Sequence, residues 1–439
     1  MFFMSNEVTA PLKPTQRIAS IDRFRGIVIF CMIIFQFAEH FPALGIVSKF
    51  AHHAPAEDAI YILPNLSIAD LIAPMFILAI GLTYYPSLQR RIERFGKKAA
   101  VLHFVQRYLT LIGIGIAMNG INDILDGKLD DPLCLMFVIL TGLVLLFALV
   151  GLILKIAKVK KRAGYYKFLG WFVAFVGVVG LAVAIINAIM FVAGKTASSY
   201  GHWLVLHHIG LAGLIALPFA MLKGKKGHYL RLVCGVGLLL VFALFHETDL
   251  PDDMFASNLA LVDEVADGGF IGGFAWGAML IIYLFFAEEF KNRKSKALPP
   301  VSFFIYAAIT VAVIIGVYAT LPDGTTAYAG ALSRFLPINK GSESPSFIII
   351  TGFISLFAYY VFDLFNFYKA KFDPLAWWGK NPILMYCIEF GFVGAVNVAL
   401  EDFFKTASYP VSALIVIAMT ALLTFIAYIL DKKKIIIKL

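Results

Sequence analysis

Long apolar windows recur along the whole chain, and they constrain the fold more than any other feature of the sequence. A helix needs about 20 predominantly apolar residues to cross the roughly 30 Å hydrocarbon core of a bilayer. About twelve windows satisfy this requirement. They cover residues 26–41, 66–88, 99–118, 132–156, 169–192, 204–222, 229–245, 270–287, 301–321, 347–367, 375–400 and 411–430. The sequence therefore predicts an all-α, polytopic bundle of about twelve transmembrane helices in the cell membrane.

The composition agrees with a membrane protein and excludes an ordinary soluble domain. Of the 439 residues, 60% are hydrophobic and 15% are charged, whereas soluble domains have roughly 45–50% apolar and about 25% charged residues. With no soluble segment of domain size, a nucleic-acid partner is not expected. The N-terminus lacks a small-residue cleavage site after a short apolar core, so residues 26–41 are predicted to be a retained span. The four scattered cysteines predict neither a disulfide framework nor a metal site.

The charge of the connecting loops predicts the orientation of the bundle. Basic segments all fall on one side of this topology: 90–98, 155–162, 223–231, 288–296, 367–371 and 431–439. On the other side, segments 123–131, 246–255 and 321–330 are acidic or neutral. Because Lys and Arg in short loops stay in the cytoplasm, both termini are predicted to be cytoplasmic and residues 50–58 extracytoplasmic. The net charge of +9 follows from the basic loops, which are expected to attract anionic lipids.

The chain is predicted to form a single membrane domain, because it contains neither a linker nor a convincing internal repeat. This domain covers residues 17–432, between a cytoplasmic tail at 1–16 and a basic cytoplasmic tail at 433–439. Long ordered loops tend to be functional. Only the outer loops are long enough to shape a pocket, and they cover residues 42–65, 246–269 and 322–346.

Polar residues inside or beside the spans are the candidate site, because ionisable groups in a membrane are costly and usually face a cavity or a partner. The candidates are Gln36, Glu39, His40, Asp70, His207, His208, Asn381 and Glu389. Two adjacent histidines, His52 and His53, lie in the first outer loop. A histidine there can transfer a proton or attack an acyl carbon, and Asp70 could orient its ring. The alternative for each candidate is a polar group satisfied by a neighbouring helix or water, or an exposed loop histidine without a function.

Four short motifs occur in order along the chain. The first span begins with Asp22, Phe24, Arg25 and Gly26 in an Asp-x-Phe-Arg-Gly pattern. The second begins Ala-Asp-Leu, with a Pro, a Phe and a Gly at fixed distances: Ala69, Asp70, Leu71, Pro74, Phe76 and Gly81. Residues 337–352 contain a Pro-Ile-Asn-Lys run, and residues 377–386 a Gly-x-Asn-x-x-x-x-Tyr segment. In these motifs the chain resembles the transmembrane acyltransferase family of heparan-α-glucosaminide N-acetyltransferase and its bacterial relatives.

The resemblance implies a catalytic role for the first outer loop. The family places its catalytic His between the first two matched spans, often as His-Ala-Pro-Trp-Asn-Gly, and His53 begins the matching His-Ala-Pro. The chain lacks the Trp-Asn-Gly that follows, and Gln36 stands where the family has an Asn. Residues 132–200 have no clear counterpart in the family and resemble an added helix pair.

The family resemblance implies transfer of an acetyl or acyl group from cytoplasmic acyl-CoA, across the membrane, to an extracytoplasmic amino sugar or glycan. His53 would act as base or acyl carrier, with His52 as the other candidate and Asp70 orienting the ring. Expected acceptor or oxyanion contacts are Gln36, His40, Asn339, Lys340 and Asn381, and Arg25 is a weak candidate for donor binding. No metal is expected, and a homodimer would suit the family.

Two other functions remain open from the sequence. A transporter or flippase for a polar or lipid-linked solute also has about twelve spans with polar residues inside them, although such proteins often show duplicated halves. A relative that has lost activity and serves envelope assembly is the third possibility. The sequence does not identify the acceptor.

Overall fold

The computed structural model describes residues 19–39, 41–54, 59–125, 132–157, 159, 162–194, 203, 205–248, 268–293, 295, 297–321, 335–365 and 372–435. His40 and residues 55–58 of the first outer loop lie outside this part of the chain, as do the side chains of Glu39 and Glu389.

Helices dominate the described residues. They are α1 (Ala19–Glu39), α2 (Ile46–Ala51), α3 (Ile72–Leu125), α4 (Pro132–Ile156), α5 (Arg162–Val192), α6 (Val205–Ala220), α7 (Gly224–His246), α8 (Gly269–Asn292), α9 (Val301–Thr320), α10 (Pro345–Leu364), α11 (Pro374–Lys380), α12 (Pro382–Thr406) and α13 (Tyr409–Lys432). A small antiparallel hairpin, β1 (Tyr61–Leu63) and β2 (Leu66–Ser67), and two 3₁₀ turns, Pro42–Leu44 and Ala69–Leu71, lie between α1 and α3.

Helix α3 is a pair of antiparallel helices joined at Gly96. This residue has φ 79° and ψ 163°, a conformation that favours glycine. The ring of Tyr84 stacks on that of Tyr108 with centroids 5.3 Å apart. In one straight helix, residues with this separation in sequence would lie about 36 Å apart. The chain therefore reverses at Gly96, and we call the two halves α3a (72–95) and α3b (97–125).

The predicted helical membrane bundle is confirmed. Helical stretches long and apolar enough to cross a membrane, among the described residues, are Ala69–Ile121, Pro132–Leu154, Ala163–Val192, Gly224–Phe245, Gly269–Asn292, Val301–Thr320, Pro345–Leu364 and Tyr409–Lys432. The first of these contains the hairpin at Gly96 and hence two of the predicted spans. Helix α6 is a shorter apolar helix of 16 residues. The predicted span at 375–400 is interrupted at Asn381, where φ is −132° and a proline follows, so α11 ends and α12 begins.

Contacts between helices place the basic loops at one end of the bundle. Four side-chain ion pairs join neighbouring elements at the ends that carry these loops. Arg293 pairs with Asp363 between α8 and α10, and Arg23 of α1 pairs with Asp373, the residue before α11. Lys380 pairs with Asp431 between α11 and α13, and His228 with Glu288 between α7 and α8. We call this the basic end. The start of α3a and the loop carrying His53 lie at the other end, which we call the histidine end.

Glycines bring α1 and α11 into backbone contact, which fixes the first motif against the fourth. A Cβ atom at Gly26 would overlap the carbonyl oxygen of Leu375, and one at Gly379 would overlap that of Asp22. Phe24, between Asp22 and Gly26 in sequence, is fully buried against the rings of Tyr359 and Phe362 of α10. Small residues allow membrane helices to approach this closely. The Asp-x-Phe-Arg-Gly pattern therefore has a packing role at the basic end.

Helices α4 and α5 lie at the outside of the bundle. In both, 22% of the most apolar window is buried, against 83% in α8. Helix α5 packs on α3b through Gly113 and Gly177, where a Cβ atom would overlap the facing backbone. That this pair is an addition to the family domain stays a prediction.

Candidate active site

His53 and Asp70 form a hydrogen-bonded pair at the histidine end. Nδ1 of His53 donates to Oδ1 of Asp70 at 2.8 Å. The Asp70 side chain is completely buried, whereas 47% of the His53 side chain is exposed. The pair thus joins a rigidly held carboxylate to an imidazole that reaches the surface.

A capping box at the 3₁₀ turn Ala69–Leu71, which leads into α3a, holds Asp70 in place. The backbone N–H and the hydroxyl of Ser67 donate to Oδ2 of Asp70 at 2.8 and 2.9 Å, and the N–H of Asp70 faces the Ser67 hydroxyl at 3.4 Å. Such reciprocal bonds between positions three apart satisfy the free N–H groups of a helix start. The backbone N–H of Ala54 adds a third bond to Oδ2 at 3.3 Å. Oδ2 is therefore occupied, and Oδ1 is directed at His53.

This arrangement determines which imidazole nitrogen can react. An ionised carboxylate only accepts hydrogen bonds, so Nδ1 of His53 carries the proton that it donates to Asp70. In the neutral ring the lone pair then lies on Nε2, to which no other described residue is hydrogen-bonded. The same division of roles serves in Ser-His-Asp enzymes, where an aspartate fixes the tautomer and stabilises the charged ring. Nε2 of His53 can therefore act as a base or as a nucleophile.

His52 takes a different position from its neighbour. It ends α2 with extended backbone, φ −72° and ψ 138°, and its side chain is half-buried. The hydrogen bond to Asp70 belongs to His53 alone among these two residues. Geometry thus favours His53 over His52 as the reactive group.

Three more predicted residues lie at the histidine end. The charge of Lys340 interacts favourably with that of Asp70, which places the Pro-Ile-Asn-Lys segment beside the pair. Asn339 in this segment is exposed, and its side-chain oxygen accepts a bond from the N–H of Ser342 at 3.2 Å. Gln36 is half-buried near the last turn of α1. His40, the other predicted contact on this side, lies outside the described residues.

Asn381 and Arg25 lie at the opposite end of the bundle. The side chain of Asn381 donates to the carbonyl oxygen of Ile435 at 2.9 Å, and Arg25 donates to the carbonyl oxygen of Ala79 at 2.9 Å. The structure therefore does not bring Asn381 to His53, because the Gly-x-Asn segment begins a helix from the basic side. The loop charges already pointed to this end, because the basic segment 367–371 lies directly before the predicted span that contains Asn381.

His207 and His208 are held within helix packing. Nε2 of His208 donates to the carbonyl oxygen of Gly269 at 2.8 Å. The ring of His207 lies where a Cβ atom at Gly115 would contact it, and 5.4 Å from the ring of Trp203. Both side chains are buried. These contacts agree with polar groups satisfied by neighbouring helices.

A large cavity enters the bundle from the basic end. Its volume is about 1290 Å³, and α1, α3a, α3b, α6, α8, α10 and α12 line it. The permanently charged cations in its wall are Arg25, Arg90, Arg91, Arg94, Arg107, Lys291 and Arg293. The carboxylates are Asp22, Glu288 and Asp363. Seven cations against three anions leave an excess of four positive charges, so the cavity favours a polyanionic ligand. Sequence reasoning used these arginines for topology and did not predict a cavity.

The deep end of the cavity is apolar and approaches the His53–Asp70 pair. Met32, Phe76, Ile114 and Val205 line this part. Phe76 follows Asp70 by six residues along α3a, which corresponds to about 9 Å at 1.5 Å per residue. The cavity thus covers most of the distance between the two ends of the bundle.

No group of three or more His, Cys, Asp or Glu side chains arranged to hold a metal ion is found in the part of the chain that the structure describes.

Comparison with known proteins agrees with the sequence motifs. The family model described as heparan-alpha-glucosaminide N-acetyltransferase, catalytic, matches residues 17–126, the segment that contains His53 and Asp70. No curated protein matches the chain. The predicted resemblance is confirmed over this segment: residues 17–126 match the catalytic region of the heparan-alpha-glucosaminide N-acetyltransferase family.

Proposed function

We propose that this protein transfers an acetyl or acyl group from cytoplasmic acyl-CoA to an acceptor on the extracytoplasmic side, with His53 as the reactive group. The single observation that carries this proposal is the hydrogen bond from His53 to the buried, capped carboxylate of Asp70. The family match covers the same two residues and supports acetyl transfer as the chemistry.

Two routes of acyl transfer use this geometry. In one, Nε2 of His53 attacks the thioester carbonyl, the carbon–sulfur bond breaks, and the thiolate leaves; the acceptor then attacks the acyl-imidazole and takes the acyl group. In the other, the acceptor attacks the thioester directly while Nε2 takes its proton. Asp70 stabilises the positive charge on the ring in both routes.

The basic cavity supports CoA as the donor. The phosphates of a CoA thioester carry several negative charges, and arginine binds phosphate oxygens with paired N–H groups. Arg90, Arg91 and Arg94 surround the end of α3a, and Arg107 faces them from α3b. The slender pantetheine arm is uncharged, which suits the apolar deep end beyond these arginines. The acyl group is then delivered towards His53 from within the bundle.

The orientation of the bundle gives this reaction its direction. The arginine-rich turn at Gly96 and the other basic loops lie at one end, and the positive-inside rule assigns that end to the cytoplasm, where CoA is available. His53 is then extracytoplasmic. The acceptor needs a nucleophilic amine or hydroxyl at that surface, and an amino sugar or glycan is the class that the family suggests, with Lys340, Asn339 and Gln36 as candidate contacts.

The direct test is acetyl-CoA turnover by the purified protein. We expect release of free CoA in the presence of an amino-sugar acceptor, and its loss in His53→Ala. His52→Ala is the matched control and should keep turnover, because His52 does not bond Asp70. Equal turnover of wild-type protein and His53→Ala would refute the role of His53, and solute exchange in liposomes without CoA would favour a transporter.

A further inference from the structure

A charged cluster joins α7 to α8 at the basic end, outside the His53–Asp70 pair. Nδ1 of His228 lies 2.7 Å from Oε2 of Glu288, and Nε2 lies 2.8 Å from Oε1 of Glu289. Arg231 contacts the same oxygen of Glu288 at 3.1 Å. The hydroxyl of Ser302, at the start of α9, donates to Glu289 at 3.2 Å. The His228 side chain is only 12% exposed, and Arg231 is completely buried.

The geometry defines the charge of His228. Each of its ring nitrogens faces a carboxylate oxygen, and an ionised carboxylate cannot donate a hydrogen bond. Both nitrogens must therefore carry a proton, which makes the ring a cation. With Arg231, it balances the two carboxylates, so the cluster has no net charge while His228 is protonated. Loss of that proton removes the hydrogen bond between the imidazole and one of the two glutamates, and leaves the cluster with one negative charge.

This cluster forms part of the wall of the basic cavity. Glu288 and Tyr85 both line the cavity, and the guanidinium of Arg231 lies 4.3 Å from the centre of the Tyr85 ring. A net negative charge at Glu288 would repel a polyanion in the cavity. The protonation of His228 and the binding of such a ligand are therefore linked, and each favours the other.

We infer that His228 is a proton-binding site through which cytoplasmic pH sets the affinity of the basic cavity for its donor, with tighter binding when His228 is protonated. The assignment of the donor to this cavity rests on the proposed function, whereas the proton site rests on the cluster alone.

Among the described residues, few charged or titratable groups face His228, and α7 and α8 provide those that carry a charge. On α8 the charged groups facing it are Glu288 and Glu289, and on α7 they are Arg231 and the titratable ring of Tyr229, whose centre lies 5.1 Å away. Helix α9 contributes the Ser302 hydroxyl and α3a the Tyr85 ring, both described above. Phe285 of α8 stacks on the imidazole with centroids 4.3 Å apart, which limits the access of water to the ring.

Binding of CoA to the full-length protein, measured by calorimetry across about pH 5.5 to 8.5, tests the coupling. The titration of CoA itself affects every variant equally, so it cancels when Kd values are compared at the same pH. As pH increases, we expect the Kd of wild-type protein for CoA to rise about threefold to tenfold more than the Kd of Glu288→Gln. This is the effect expected of one charge near the ligand. His228→Gln should bind weakly at every pH in this range. His103→Gln alters a histidine of the cavity wall outside this cluster and should retain the wild-type pH dependence.

A second readout tests the proton site without CoA. The melting temperature of wild-type protein should exceed that of His228→Gln most at low pH, with the difference shrinking as pH rises. A difference that does not change with pH would overturn the proton site. An unchanged pH dependence of CoA binding in His228→Gln would overturn the coupling, and absence of CoA binding to wild-type protein at every pH would overturn the donor cavity instead.

Discussion

Ser67 gives the sharpest test of the proposed chemistry, because it touches Asp70 and not the reacting groups. Its hydroxyl donates to Oδ2 of Asp70 at 2.9 Å, and its side chain is fully buried. Ser67→Ala removes this bond and leaves the backbone N–H groups of Ser67 and Ala54 on the same oxygen. A hydrogen bond to a charged group contributes about 1.5–3 kcal/mol. If the loss falls on the transition state, kcat decreases about tenfold to a hundredfold.

The assay is steady-state release of CoA at varied acyl-CoA concentration. The KM for acyl-CoA should change little in Ser67→Ala, because the basic cavity that we assign to the donor opens at the other end of the bundle. Ser67→Thr keeps the hydroxyl and is expected to restore most of kcat. If Ser67 had only a structural role, Ser67→Ala would instead lower the melting temperature, and kcat would not decrease independently of KM. Wild-type kcat in a folded Ser67→Ala protein would refute the positioning of Asp70 by the capping box.

The remaining predictions concern Asp70, the cavity and the packing of α1. Asp70→Asn should lower kcat by about 10³-fold or more, since an amide can donate to Nδ1 and leave the proton on Nε2; full activity would contradict the assigned tautomer. Arg94→Gln should raise the KM for acyl-CoA about threefold to tenfold with less effect at high salt, because Arg94 is exposed in the cavity wall; an unchanged KM would remove Arg94 from donor binding. Gly379→Ala should lower the free energy of unfolding by about 1–3 kcal/mol or more, through overlap with the Asp22 carbonyl; an unchanged melting temperature in detergent would contradict this backbone contact.

The spans and the grouping of the basic loops could be predicted because both signals are local. Apolar length and loop charge need no knowledge of which helices touch. The partnership of His53 with Asp70 was predicted by the family resemblance. Which of His52 and His53 bonds Asp70 was not predictable, because that depends on how α2 ends and on a contact between residues 17 positions apart.

Other features of the site depend on contacts that a sequence does not contain. The sequence does contain a pattern that indicates the capping box: a Ser three residues before Asp70, at the start of an apolar run. Sequence reasoning did not use this pattern. The reversal at Gly96 and the resulting cavity required the packing of α3a on α3b, seen in the stacked rings of Tyr84 and Tyr108. Asn381 was expected near the acceptor from the family resemblance, yet it lines the basic cavity, which agrees with its position soon after the basic segment 367–371.

The central claim is that a thioester carried from the basic end reaches the imidazole of His53 at the other end. A cryo-EM structure of the protein with CoA bound tests this most directly. We predict nucleotide density among the arginines around Gly96 and a pantetheine arm that extends past Phe76 to place its sulfur within reach of Nε2 of His53. CoA bound elsewhere, or an arm directed away from a His53 that remains sealed from the cavity, would contradict the account.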